Sequence, residues 1–105
     1  MVRKIRSVAE FDDILARSHS KLVVIDFTAT WCGPCRRIAP VFDKFSTEYR
    51  GVVFLKVDVD DNPVLAQRYR IEAMPTFIFI KDFKKVASVR GADEAAIRSK
   101  LRSLC

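Results

Sequence analysis

The sequence predicts an α/β domain in which a central mixed five-stranded sheet is flanked by four helices lying on both faces. Segments rich in β-branched and aromatic residues alternate along the chain with segments whose apolar residues recur at helical spacing. Strands joined through helices run parallel, while the last two strand segments are close enough in sequence to pair as an antiparallel hairpin, so the sheet is mixed. The chain has 105 residues, half of them hydrophobic, which suits one compact domain over residues 1–105 with a sizeable core. No repeat, linker or low-complexity segment interrupts it.

Val2 to Arg6 reads as a first short strand. Ser7 then caps a helix, with Glu10 three residues on completing a capping box and Val8, Phe11, Ile14 and Leu15 forming its apolar face. Leu22 to Thr28 reads as a strand buried on both faces. The second helix begins near Pro34, a favoured first-turn residue, and carries the stripe Ile38, Val41, Phe42 and Phe45. Pro40 lies within it and is expected to kink it, because proline removes a backbone donor. Val52 to Asp58 is the third strand. Asn62-Pro63 is a cap followed by proline and starts a short helix through Tyr69. Thr76 to Ile80 and Val86 to Val89 form the hairpin. Asp93 caps a last helix whose stripe is Ile97, Leu101 and Leu104. The order is βαβαβαββα.

The N-terminus is basic but has no apolar stretch behind it, which argues against a secretory leader. The longest apolar run, Leu22 to Ile25, is far too short to cross a bilayer, so no membrane association is expected. Three cysteines are too few and too oddly spaced for a disulfide-stapled secreted fold. The reducing cytosol, with the nucleus as a second compartment of the same kind, is the expected location, and there a close cysteine pair is catalytic or metal-binding.

That pair lies where the second strand feeds the second helix, in Trp31-Cys32-Gly33-Pro34-Cys35. The attacking species in thiol–disulfide exchange is the thiolate. A cysteine at a helix N-terminus faces unpaired N–H groups and the positive end of the helix dipole, both of which favour the thiolate. Cys32 takes that position and is expected nearer solvent, as the nucleophile. Cys35, one turn in and more buried, is expected to resolve the mixed disulfide. Zinc usually needs four ligands, and the other candidates, Cys105 and His19, stand far away in sequence without a second ligand pair, so a metal is not expected. His19 itself reads as a solvated loop residue.

The stretch Val24-Ile25-Asp26-Phe27-Thr28-Ala29-Thr30-Trp31-Cys32-Gly33-Pro34-Cys35 resembles the active-site segment of the thioredoxins. The match continues through Val57-Asp58-Val59-Asp60, Met74-Pro75-Thr76-Phe77 and Gly91-Ala92, in the family's order and spacing. The resemblance implies the thioredoxin fold, protein-disulfide reductase activity on disulfide-containing proteins, and recharging by a thioredoxin reductase that draws on NADPH. It implies no bound cofactor beyond the redox-active Cys32–Cys35 disulfide. Gly-Pro between the cysteines resembles the reducing members of the family, an analogy that favours reductase over isomerase.

The family also places a cis-proline beside the cysteine pair, here Pro75, next to an open backbone edge on which an extended substrate can pair as an added strand. Trp31, Gly33, Pro34, Met74, Gly91 and Ala92 would complete that shallow groove. Asp26 interrupts an otherwise apolar strand, and a buried carboxylate needs a partner or a raised pKa. Strand alternation gives it the same face as Lys56. Two readings stand: a satisfied buried ion pair, or a general acid/base serving Cys35, which the resemblance favours.

The chain departs from the family in its net charge of +6, with Arg36 and Arg37 directly after the cysteines. The charge reads as a solvated basic surface, ahead of a preference for acidic partners or a loose association with nucleic acid, since no interleaved aromatics accompany it. Phe83 stands where the family has a glycine in the hairpin turn, and an exposed side chain is expected there. Asn62, Tyr69 and Ala73 replace the extra cysteines of many animal thioredoxins. Cys105 is new, and an odd cysteine at a chain end is expected to be an exposed thiol able to form a Cys105-linked homodimer under oxidising conditions. A competing class, a rigid binding module in which the dithiol is incidental, is disfavoured by the intact set Asp26, Cys32, Cys35 and Pro75.

Overall fold

The computed structural model describes residues 1–105. Its elements are β1 (Val2–Lys4), α1 (Val8–Arg17), β2 (Val23–Thr28), α2 (Gly33–Glu48), β3 (Val53–Asp58), α3 (Pro63–Arg68), β4 (Thr76–Lys81), β5 (Lys84–Arg90) and α4 (Glu94–Leu104). The sheet order is β1-β3-β2-β4-β5. β1 and β2 pair with β3 in parallel, and β4 pairs antiparallel with both β2 and β5. The mixed five-stranded sheet and four helices predicted from the sequence are therefore present.

Period-2 alternation in the central strands divides the core into two layers. Val23, Ile25 and Phe27 of β2 join Phe11, Ile14 and Leu15 of α1 and Leu65 of α3 on one face. Val24 joins Phe54, Phe77 and Phe79 with Ile38, Phe42 and Phe45 of α2 and Ile97 and Leu101 of α4 on the other. Both layers are rich in aromatic rings; Phe42 meets Phe54 and Phe77 at centroid distances of 5.2 and 5.3 Å. Leu104, expected in the buried stripe of α4, is only half-buried at the edge of its layer.

Local signals were realised with some substitutions of partner. Ser7 accepts a hydrogen bond from the Glu10 N–H at 3.1 Å, but the Glu10 carboxylate accepts from the Arg6 N–H at 2.7 Å rather than from the cap residue. The capping box is thus shifted by one residue on its return bond, and Arg3 holds the other Glu10 oxygen at 2.8 Å. Asp93 caps α4 through the Ala96 N–H at 3.0 Å. Asn62 does not cap α3 with its side chain. Its amide is buried and donates weakly to the carbonyls of Ile5 and Asp58 at 3.5 and 3.4 Å, so it ties the loop after β1 to the end of β3. α2 continues through Pro40 to Glu48 without ending; the proline is exposed, on the solvent side of the helix.

β1 is shorter than the predicted Val2–Arg6, although Ile5 still donates to the Lys56 carbonyl at 2.9 Å. The hairpin strands are longer than predicted, because Lys81 pairs with Lys84 and Arg90 with Thr76. That register leaves a two-residue turn, and both of its residues adopt left-handed backbone: Asp82 at φ 53° and Phe83 at φ 67°. This is the type I′ solution that matches strand twist, and it normally selects Asn-Gly or Asp-Gly. Phe83 is exposed as expected and stacks on His19, with 6.1 Å between ring centroids and an interplanar angle of 8°. His19, an exposed turn residue as expected, also accepts the Asp82 N–H at its carbonyl, 3.0 Å away, and so buttresses the hairpin turn.

A left-handed Phe costs about 1–2 kcal/mol that glycine escapes, offset in part by glycine's larger chain entropy in the unfolded state and by loss of the ring stack. Phe83→Gly is therefore expected to raise stability by about 0.5 kcal/mol. A urea midpoint lower than that of the wild type would show that the His19 stack outweighs the backbone cost.

Candidate active site

β2 is hydrogen-bonded on both edges and ends at Thr28, close to where the chain must turn into α2. Cys32 is the N-cap of α2, with extended backbone at φ −91° and ψ 114°. Its Sγ accepts the Cys35 N–H at 3.2 Å. Sulfur thus takes the place usually filled by a Ser or Asp oxygen, and one of the helix's orphan donors points at it. Pro34 sits in the first turn, where its missing N–H costs nothing. Cys32 and Cys35 form a disulfide with Cα atoms 5.3 Å apart. On opening of that bond, the aimed N–H and the helix dipole favour a thiolate at Cys32.

The two cysteines differ less in exposure than the sequence suggested: Cys32 is 5% exposed and Cys35 2%. What separates them is position. Cys32 stands ahead of the helix with Sγ 3.7 Å from the Met74 carbonyl oxygen. Cys35 lies inside the first turn, on the helix side that faces the sheet with Ile38 and Phe42. Ala29, Met74 and Val59 pack around the pair.

Met74–Pro75 is a cis peptide. The Pro75 carbonyl accepts the Gly91 N–H at 2.8 Å, and Gly91 has φ 89°, a left-handed value that excludes a side chain without strain. The structure therefore brings Met74 against Cys32 and Gly91 against Pro75, leaves Ala92 exposed just after Gly91, and has Trp31, Gly33 and Pro34 arrive along the chain. Trp31 is 64% exposed. Its indole Nε1–H donates to Asp60 Oδ2 at 2.9 Å. Asp58, buried at the end of β3, accepts the N–H groups of Asp60 and Asp61 at 2.9 and 3.3 Å and shapes the loop that presents Asp60.

Sequence reasoning gave no role to Asp58 or Asp60. The signal was available in the acidic run Asp58-Val59-Asp60-Asp61 directly after a strand, a pattern suited to a side-chain-capped turn. Arg36 was read only as surface charge. Its Nη1 donates to the Thr30 carbonyl at 2.8 Å and braces the segment before Trp31.

Asp26 is fully buried, and neither carboxylate oxygen has a hydrogen-bond partner. It pairs in register with Lys56 of β3 and Phe77 of β4. Alternation puts it on the face of Val24, the face that α2 covers, in the same layer as the inward side of Cys35. No ion pair joins it to Lys56, which corrects the reading of a satisfied buried pair. Burial pushes its pKa up to about 7; the Lys56 charge opposes this and the Asp43 carboxylate adds to it. Desolvation wins because the lysine, half-buried, stands beside the carboxyl without bonding to it.

The raised pKa fixes a sign. Below the unfolded value both states hold the proton and Asp26 is neutral to stability. As pH rises towards 7 the unfolded chain ionises first, so the native state loses stability, reaching on the order of 4 kcal/mol once pH exceeds the folded value. Asp26→Asn is expected to raise the denaturant midpoint at pH 8 and to give little gain at pH 4. An equal gain at both values would show that packing, not ionisation, separates the two proteins.

No group of three or more His, Cys, Asp or Glu side chains is arranged to hold a metal, and no helix is long and apolar enough to cross a membrane. Fold and site together define a dithiol–disulfide oxidoreductase whose redox group is its own Cys32–Cys35 disulfide. The thioredoxin family model matches residues 2–103. The chain belongs to the thioredoxin family. It is 48% identical to a thioredoxin of Geodia cydonium over 103 residues, covering 97% of each chain. The crystal structure of reduced Schistosoma mansoni thioredoxin pre-protein superposes with a TM-score of 0.95 at 41% identity, covering 99% of this chain and 98% of that one. A peptide-N(4)-(N-acetyl-beta-glucosaminyl)asparagine amidase of Caenorhabditis elegans is 50% identical over 102 residues, covering 96% of this chain but only 17% of the amidase's length. Thioredoxins use the redox-active disulfide and no bound cofactor, and membership implies a thioredoxin reductase and disulfide-containing proteins as partners.

Proposed function

We propose that this chain reduces protein disulfides, with Cys32 attacking and Cys35 resolving. The observation that carries the assignment is the Cys35 N–H aimed at Cys32 Sγ at the start of α2. The Cys32 thiolate attacks one sulfur of a substrate disulfide, forming a mixed disulfide and releasing the other substrate sulfur as a thiolate. Cys35 then attacks Cys32 Sγ, which forms the Cys32–Cys35 bond and releases the second substrate thiolate. Two electrons pass from the chain to the substrate. Asp26, neutral and ionised in comparable amounts near pH 7, takes the Cys35 proton as resolution proceeds. Lys56 supports it by favouring the carboxylate.

An extended substrate segment lies along Met74 and Pro75, bounded by Trp31, Gly33 and Pro34 on one side and by Gly91 and Ala92 on the other. The Asp60 bond fixes the indole as one wall. A thioredoxin reductase supplied by NADPH returns the disulfide to the dithiol. The reducing cytosol, and the nucleus with it, suits this chemistry. The amidase match supports a second reading, in which the same dithiol serves as one module of a longer enzyme. Immunoblotting of a native extract separates the two, since only the first gives a band at the mass of the 105-residue chain.

Cys32→Ser is expected to abolish turnover in an insulin-reduction assay with dithiothreitol as electron source. Cys35→Ser should keep the first attack and accumulate mixed disulfides. Substantial multiple turnover in Cys32→Ser would remove the assignment of nucleophile.

Cys105 is exposed and free at the end of α4, and we assign it the formation of a disulfide-linked homodimer under oxidising conditions. Its placement away from the Cys32–Cys35 bond leaves the active site usable in that dimer. After mild peroxide treatment, a non-reducing gel should show covalent dimer for the wild type and none for Cys105→Ser. The same amount of dimer in both would rule out Cys105 as the linking residue.

A further inference from the structure

Beside the active-site turn, on the α2 face of the sheet, a cavity of about 250 Å³ is bounded by β1, the ends of β2 and β3 and the start of α2. Its wall carries three cations from three different elements: Lys4 of β1, Lys56 of β3 and Arg36 of α2. The parallel register sets Lys4 directly beside Lys56, so the two side chains leave neighbouring strands on one face. Each of the five ion pairs of the molecule uses other residues: Arg3–Glu10, Arg17–Asp13, Arg68–Asp12, Arg90–Glu72 and Arg98–Glu48. Lys4, Arg36 and Lys56 are thus gathered without a carboxylate bound to any of them.

The remaining wall is small and polar. Thr28 and Thr30 line it, and its only apolar residues are Ala29 and Ala39. Arg36 spends Nη1 on the Thr30 carbonyl, which holds the guanidinium at the rim with its other N–H groups uncommitted. One carboxylate, Asp58, faces the cavity, and its Oδ1 is already held by two backbone N–H groups. Asp26 stands beyond Lys56, buried and outside the lining. Cations brought together in this way repel one another, and an anion between them turns that repulsion into attraction. The planar fork of an arginine with two flanking ammonium groups suits a tetrahedral or planar oxyanion.

We propose that this cavity binds an oxyanion group, phosphate or carboxylate, beside the turn that leads from β2 into the Cys32–Cys35 segment. The anion is either a free small ion or an acidic side chain flanking the disulfide of a protein substrate. The site stands on its own geometry; only its link to substrate choice rests on the reductase reading above.

The site is tested on the oxidised protein, where no turnover is involved. Nitrogen-15-labelled chain is titrated with inorganic phosphate at constant ionic strength set with chloride. Saturable amide shifts are expected at Thr28, Thr30, Arg36 and residues 56–58. Lys4→Gln should weaken the apparent affinity about five- to tenfold, the range of one charge-assisted contact. Lys4→Arg should retain it, and Lys100→Gln, on the exposed side of α4, should leave it unchanged. Arg36→Gln gives a second reading should Lys4→Gln fold poorly. Shifts that never saturate and extend equally to Lys84, Lys85 and Lys100, or an affinity indifferent to both lining substitutions, would overturn the site.

The source of the anion follows from kinetics with paired disulfide peptides carrying Glu or Gln beside the cysteine. A kcat/KM preference for Glu that Lys4→Gln and added phosphate both erase assigns the site to substrate carboxylates. Equal values for the two peptides, with phosphate binding intact, assign it to a free anion. Loss of all peptide reduction by the wild type would count against the reductase reading and leave the phosphate titration standing.

Discussion

Strand β2 is paired along both edges and covered on both faces, and the position at which it stops sets the chemistry of the molecule. Because β3 and β4 hold it in fixed register, Thr28 cannot slide relative to Asp58 or Thr76. The turn that follows therefore delivers Cys32 to the N-cap of α2, and a helix that begins there directs its unpaired N–H groups towards the sulfur. A loop-borne cysteine pair would have the same spacing and none of this polarisation. Rigid β2 also fixes Asp26 two residues before the end of the strand, fully buried and on the face that α2 covers. The N–H aimed at the Cys32 sulfur and the buried carboxyl's raised pKa thus have one structural cause.

Much of this was legible in the sequence. The apolar stretch Leu22–Thr28 and the stripe Ile38, Val41, Phe42 and Phe45 carry strong periodic signals, and they fixed the strand-to-helix junction on which the cysteines sit. Pairings between distant segments were legible only through the family resemblance: nothing local in Met74-Pro75 or Gly91 says that they meet, and their contact depends on the β4–β5 register. Where single-residue signals failed, a tertiary partner had taken over. Asn62 gives its amide to the carbonyls of Ile5 and Asp58 rather than to its own helix, and Glu10 turns to Arg3 and the Arg6 N–H. The hairpin ends are hard to read from sequence because Lys81, Lys84 and Lys85 look like loop composition; Lys84 and Lys85 lie on the edge strand β5, which tolerates and even favours lysine, and Lys81 ends β4 by pairing with Lys84.

The same distinction applies to charge. A net charge of +6 read along the chain is a uniform basic surface. Folding sorts it: five arginines are taken up in ion pairs with Asp or Glu, all on exposed or half-exposed sites where each contributes little. What matters is the charge left over and where it gathers. Lys4, in the first strand, lies more than fifty positions from Lys56, and only the parallel β1–β3 pairing makes them neighbours.

Asp26 and Lys56, neighbours through the β2–β3 pairing, are nonetheless not an ion pair. A buried carboxylate and a neighbouring lysine would be expected to close on each other, since an unpaired buried charge is costly. Asp26 escapes the cost by holding its proton over much of the pH range instead, and Lys56 lies half-buried at the wall of an open cavity. Each group has solved its own desolvation problem separately. A closed pair would pin the carboxyl in its ionised form; the open arrangement leaves it exchanging its proton near neutral pH, which is what the acid–base role proposed for it beside Cys35 requires.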